Sequence, residues 1–144
     1  MIEIVQLKEA SEAALQDINK LLPQLRTHGG EHIASRVDLE MIVEDKNIRL
    51  IVARDGKKII GMASLYIIHK LGKHKGSVED VVVDDAYRGQ QLGKRLMEVL
   101  LDEARRSKLT QLDLTSNPDR IAAHKLYERL GFKQRETEVY KLTL

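Results

Sequence analysis

The sequence predicts a mixed α/β (α+β) fold, with one seven-strand sheet, mostly antiparallel with a central parallel pair, and about four helices packed on it. Three observations predict it. Seven short segments alternate or run β-branched, as strands do. Amphipathic stretches of helical period stand between some of them. Residues 77–115 read strand, helix, strand, a crossover whose right hand makes its two strands parallel. A length of 144 residues fits one domain, 1–144, with a core of its own.

The chain opens with Ile2 to Leu7, which alternates and reads as an edge strand. Ser11 then caps a helix whose Leu15, Ile18, Leu21, Leu22 and Leu25 recur at helical spacing, and Pro23 marks a kink or its approaching end. Arg26 to His32 reads as a loop around Gly29-Gly30, and a second short helix follows from Ser35 to Glu44. Strands Ile48 to Ala53 and Lys58 to Ile68 form a hairpin about Asp55-Gly56.

A basic connection, Lys70 to Gly76, leads to the strand Ser77 to Asp84, whose Val81-Val82-Val83 run predicts burial on both faces and a central place. Gly93 to Ser107 carries Leu96, Val99, Leu100 and Ala104 on one stripe and predicts a helix covering the sheet. Strand Gln111 to Thr115 follows. Asn117-Pro118-Asp119 starts the last helix, with Ser116, Asn117 and Asp119 available as caps, and Gly131 stops it. A strand after Phe132 and the alternating residues Glu138 to Leu144 make a final hairpin.

Composition narrows the function. Basic and acidic residues, 24 against 22, are spread along the chain and give a formal charge of only +2, so no electrostatic footprint for nucleic acid or membrane appears. Five aromatic residues, none of them Trp, offer little for stacking bases. The absence of Cys excludes thiolate nucleophiles, disulfides and thiolate metal sites, and fits a reducing, cytoplasmic setting. No apolar run is long enough to span a bilayer. His28 and His32 flank Gly29-Gly30 with no third ligand indicated, so no metal site is expected.

The chemistry concentrates after the valine strand. Asp84-Asp85-Ala86-Tyr87 passes through Arg88-Gly89-Gln90-Gln91-Leu92-Gly93 into a helix, where unpaired amides at a helix start suit a phosphate. Arg88, Lys94 and Arg95 add positive charge. The run is not a P-loop, because only three residues separate Gly89 from Gly93 and Arg95 stands where that motif has a hydroxyl. The dinucleotide GxGxxG pattern is absent too.

The run Val78-Glu79-Asp80-Val81-Val82-Val83-Asp84 followed by Arg88-Gly89-Gln90-Gln91-Leu92-Gly93 resembles the signature of the GCN5-related N-acetyltransferases, Arg/Gln-x-x-Gly-x-Gly/Ala. Arg88 and Gly93 match, and Gln91 stands where the pattern usually has its first glycine, a variant similar to that of glucosamine-6-phosphate N-acetyltransferases. Downstream, Ala123-His124-Lys125-Leu126-Tyr127-Glu128-Arg129-Leu130-Gly131-Phe132 resembles the family's Ala-x-x-x-Tyr-x-x-x-Gly-Phe segment. The resemblance implies acetyl-CoA as donor, with backbone groups of Val81, Val82 and Val83 on its pantetheine arm and the amides of Gly89 to Lys94 on its pyrophosphate. One fixed amide at the thioester carbonyl contributes about 3 to 4 kcal/mol to the transition state.

It implies, further, that Tyr127 protonates the departing thiolate. An alkyl ammonium must first lose a proton, and Glu79 is the candidate base, two residues before Val81 and on its face if the strand is regular. A bulge would change that parity and bring in Asp80 as alternate. Asn117 stands ten residues before Tyr127, three more than the family asparagine, which leaves its cofactor contact open.

The implied activity is acetyl transfer to a primary amine of a small molecule, with a peptide N-terminus or lysine as the other acceptor class. The rival of another kind is a non-catalytic acyl-CoA-binding module. The basic turn Lys70 to Lys75 is either a solvated surface or an attractor for an acidic acceptor or the donor's 3'-phosphate. A homodimer is compatible with such a fold, although no exposed apolar stripe marks an interface in the sequence. The sheet is expected to split between the Ser77 and Gln111 strands, where the donor enters.

Overall fold

Five strands, in the spatial order β1-β2-β3-β4-β5, make the sheet of this computed structural model, which describes residues 1–25 and 33–144. They are β1 (Ile2–Gln6), β2 (Ile48–Asp55), β3 (Lys58–Lys70), β4 (Lys73–Val83) and β5 (Gln111–Asp113). The first four pair antiparallel and β5 joins β4 in parallel. The helices are α1 (Glu12–Leu21), α2 (Arg36–Glu44), α3 (Leu92–Arg106) and α4 (Ile121–Arg129). Met1–Leu114 forms one compact unit and Thr115–Leu144 a second.

Local chemistry sets the helix starts. Ser11 Oγ accepts the Ala14 N–H at 3.1 Å at the head of α1. Ser35 and Asp38 form a reciprocal capping box on α2, which holds the exposed Asp38 carboxyl below its usual range. Pro23 sits in a short 3-10 segment, Leu22–Leu25, that ends α1. The loop expected over Arg26 to His32 lies outside the described residues.

Alternation along β2 and β3 sends side chains to two covers. Leu50, Val52, Met62 and Val82 pack with Leu15, Ile18 and Leu21 of α1 and Leu39 of α2. On the other face lies α3, whose Leu96, Met97 and Leu100 are fully buried. Gly61 lets that helix approach, since a Cβ there would stand 3.2 Å from Leu96 Cδ1. Burying a leucine such as Leu100 stabilises by about 1.5 to 3 kcal/mol. On its outer side α2 exposes Val37 and Met41, with Ile33 before them.

Three expectations are corrected. The sheet has five strands, not seven, because the residues after Phe132 form no strand. Tyr140, Leu142 and Leu144 alternate with Lys141 and Thr143 yet are exposed, and alternation makes a strand only where one face finds a cover. The basic connection is mostly strand: β3 runs to Lys70 and β4 starts at Lys73, leaving Leu71-Gly72 as the turn, with Gly72 at φ +71°. The last helix begins at Ile121, and its N-cap, Arg120, makes no side-chain capping bond. The Asn117 carbonyl accepts the Arg120 N–H at 3.1 Å.

Candidate active site

Strand β4 is paired with β5 only from Lys75 to Ser77, opposite Gln111 to Asp113. Beyond Ser77 no further pair joins β5 to β4 among the described residues, so the parallel pair is short and the two strands part, as the sequence predicted. Asp84 N–H donates to the Ile60 carbonyl at 2.8 Å, and the alternation of an antiparallel ladder then turns the Val83 backbone groups toward the open edge. Val82 is buried beneath α1 and α2, while Val81 and Val83 are half-buried.

The strand is irregular where chemistry is expected. Ser64 pairs with Glu79 and Met62 with Val82, so Asp80 and Val81 together oppose Ala63. This is a β-bulge, with Asp80 at φ +53°. The bulge reverses the expected parity: Glu79 shares its face with Ser64, Ser77 and Val82, not with Val81. Ser77 Oγ donates to Glu79 Oε1 at 2.7 Å. Tyr66, across the ladder from Ser77, has its hydroxyl pushed above the ordinary tyrosine pKa by burial first, then by the charges of Asp80, Glu79 and Asp45. Sequence reading missed Tyr66, because only the register brings it beside these acids.

From Val83 the chain turns through Asp85–Tyr87, a short 3-10 segment, into the loop. Gln24 Oε1 accepts the Asp85 N–H at 2.9 Å, and the Tyr87 hydroxyl donates to Asp55 Oδ2 at 2.7 Å. That bond, followed by burial and the carboxylate charge, raises the Tyr87 pKa. These anchors have no signal in sequence, since the partners stand 61 and 32 positions apart.

Gly89 adopts φ +83°, and Gln91 stands left-handed at φ +59° as the N-cap of α3. The second value explains why glycine suits this position: a side chain there is strained by about 1 to 2 kcal/mol. Among the described residues no protein acceptor is bonded to the amides of Gly89, Gln90, Gln91, Leu92, Gly93 or Lys94. Leu92 meanwhile buries its side chain in the core. A helix start with that row of free N–H groups fits the phosphates of an anionic donor. The neighbouring cations also have partners in the chain: Arg88 pairs with Asp85 at 2.6 Å, Arg95 donates to the Ile2 carbonyl at 3.1 Å, and Lys94 lies 3.8 Å from Glu98.

Glu79, Val81 to Val83 and Arg88 to Lys94 thus belong to one unit. Tyr127 belongs to the other, where it is 7% exposed and meets the Phe132 ring edge-on at 6.0 Å between centroids. Burial raises its pKa, with Arg120 acting in the opposite direction. On β4, Lys75 forms an ion pair with Asp113 of β5. The described residues contain no group of three or more side chains suited to a metal, and His28 and His32 lie outside them. No helix of the described residues is long and apolar enough to cross a membrane.

Comparison with known proteins adds family evidence. The model of the acetyltransferase (GNAT) family matches residues 15–132. An aminoalkylphosphonate N-acetyltransferase of Salmonella typhimurium is 26% identical over 136 residues, 93% of this chain and 88% of that protein. A glucosamine 6-phosphate N-acetyltransferase of Trypanosoma brucei brucei is 38% identical over 85 residues, 57% of this chain and 56% of that one. The crystal structure of a Trypanosoma brucei acetyltransferase superposes with a TM-score of 0.79 at 31% identity, covering 100% of both chains.

Proposed function

The chain belongs to the acetyltransferase (GNAT) family and is an N-acetyltransferase; from that premise we propose that it moves the acetyl group of acetyl-CoA to a primary amine of a small molecule by direct attack. The observation that carries this reading is the free row of amides from Gly89 to Lys94 at the head of α3, continuous with the open edge of β4.

Acetyl-CoA supplies an activated thioester acetyl. The amides of Gly89 to Lys94 hold its pyrophosphate without neutralising side chains, at a helix start that favours negative charge. Backbone groups of Val81 to Val83 on the open edge align its arm, and one N–H there polarises the thioester carbonyl. Glu79 takes a proton from the acceptor's ammonium on a carboxylate oxygen and so frees the amine to attack, with the Ser77 hydroxyl fixing the rotamer. The Tyr127 hydroxyl, protonated at neutral pH like any tyrosine's, gives its proton to the departing thiolate.

The small-molecule acceptor is supported by the names of the Salmonella and Trypanosoma relatives. Thiol release from acetyl-CoA, measured with aminoalkylphosphonates, amino sugars and short peptides in parallel, tests it. The expected result is amine-dependent release that is fastest with a small amine. Faster release with peptides would move the acceptor to proteins, and no release with any amine, despite CoA binding, would sink the enzyme reading for this chain.

A further inference from the structure

A recess of about 340 Å³ opens on the α3 face of the first unit, at the end of β4 away from the loop Arg88 to Gly93. His74 lies on β4 nine residues before Val83, so the two ends stand about 30 Å apart at the usual strand rise. Ile67 and Leu109 supply an apolar floor, and Lys46, Arg49, His69 and His74 line the rim.

The side chains there are arranged by the fold. His69 and His74 are direct partners across the β3–β4 ladder, so both rings stand on one face about 5 Å apart at Cβ. Asn47 Oδ1 lies 3.1 Å from His69 Nε2 and orients that ring. Arg49 is only 24% exposed, held 3.6 Å from Glu103 and bonded to the Lys46 carbonyl. The nearby acids are already engaged: Glu103 also takes Arg106 at 2.9 Å, and Asp45 Oδ1 accepts the Asn47 N–H at 2.7 Å. Lys46 makes no ion pair among the described residues.

We propose that this recess is a second binding site, for a small organic phosphate. Lys46 and the two imidazoles would face the dianion, and Ile67 and Leu109 its carbon skeleton. The volume exceeds what inorganic phosphate alone would fill, and an apolar floor beside a few placed polar and charged side chains is the usual composition of a small-molecule site. Being at the other end of β4, the site is independent of donor binding and of the acetyl-transfer reading.

The test is a titration of the full chain with phenyl phosphate, followed by amide and imidazole NMR shifts. Phenyl phosphate should move the His69 and His74 ring signals and the Asn47 and Ser107 amides saturably, more tightly than inorganic phosphate does, and benzyl alcohol should not. The double variant Lys46→Gln, His74→Gln, both at exposed positions, should bind about tenfold more weakly, as loss of charge-assisted hydrogen bonds predicts, with thiol release unchanged. Shifts confined to the amides of Gly89 to Lys94, equal shifts with benzyl alcohol, or undiminished binding by a folded double variant would overturn the proposal.

Discussion

Ser77 Oγ donates to Glu79 Oε1 at 2.7 Å across one turn of the β4 pleat, immediately before the bulge formed by Asp80 and Val81 opposite Ala63. A carboxylate held in this way is aimed by its own strand, and its face is set by the bulge. The predicted consequence is kinetic. Glu79→Gln should lower kcat by about 10² to 10⁴, the usual contribution of a general base, with CoA affinity nearly unchanged. Ser77→Ala should have a smaller effect of the same sign. Steady-state kinetics with CoA titration distinguishes these, and a variant Glu79→Gln with wild-type kcat next to an inactive Asp80→Asn would transfer the role to Asp80.

Gln91 occupies a left-handed conformation, φ +59° and ψ +25°, with no side-chain capping bond. Relief of that strain, offset by the greater freedom of glycine in the unfolded chain, predicts that Gln91→Gly stabilises by up to about 1 kcal/mol. Donor binding should be retained. Gln91→Val, β-branched at positive φ, should destabilise. Denaturant midpoints check both signs.

Tyr127 is buried and its hydroxyl stays protonated beyond the ordinary tyrosine range. If it delivers the proton to the departing thiolate, Tyr127→Phe lowers kcat and kcat/KM together while leaving CoA affinity in place. Equal turnover in the variant would remove Tyr127 as the acid and leave it as a packing residue against Phe132.

Alkaline stability follows from three tyrosines. Tyr66 is raised by burial and then by Asp80, Glu79 and Asp45, Tyr87 by its bond to Asp55 and then by burial, and Tyr127 by burial. Above the unfolded value of 10.0 the native state retains protons that the unfolded chain has lost. The stability linked to them is therefore complete below that pH and falls as pH rises through the native values. Denaturant midpoints should drop as pH rises above 10.0, and Tyr87→Phe should make the drop shallower.

The parts of the fold that local chemistry dictates were legible in the sequence. Ser11 caps α1 as read, a helix follows Ser35, and the crossover from β4 through α3 to β5 is parallel; the hairpin is there too, although Asp55 still pairs with Lys58 and the turn is Gly56-Lys57. The loop at Arg88 to Gly93 was legible because its residues are contiguous. What lay outside sequence reasoning depends on cross-strand register or on partners far away. The bulge reverses the face of Glu79, Tyr66 joins the acids only through its pairing with Ser77, and Gln24 reaches Asp85 across 61 positions. The alternation of Glu138 to Leu144 overstated the sheet, since its apolar residues find no cover.

A crystal structure of the chain with CoA tests the central claim most directly. The amides between Gly89 and Lys94, that of Gln91 included, are expected within hydrogen-bond distance of the pyrophosphate oxygens, with the pantetheine arm along the open edge of β4 at Val81 to Val83. A pyrophosphate bound elsewhere, or a Gln91 amide turned away from it, would contradict the account.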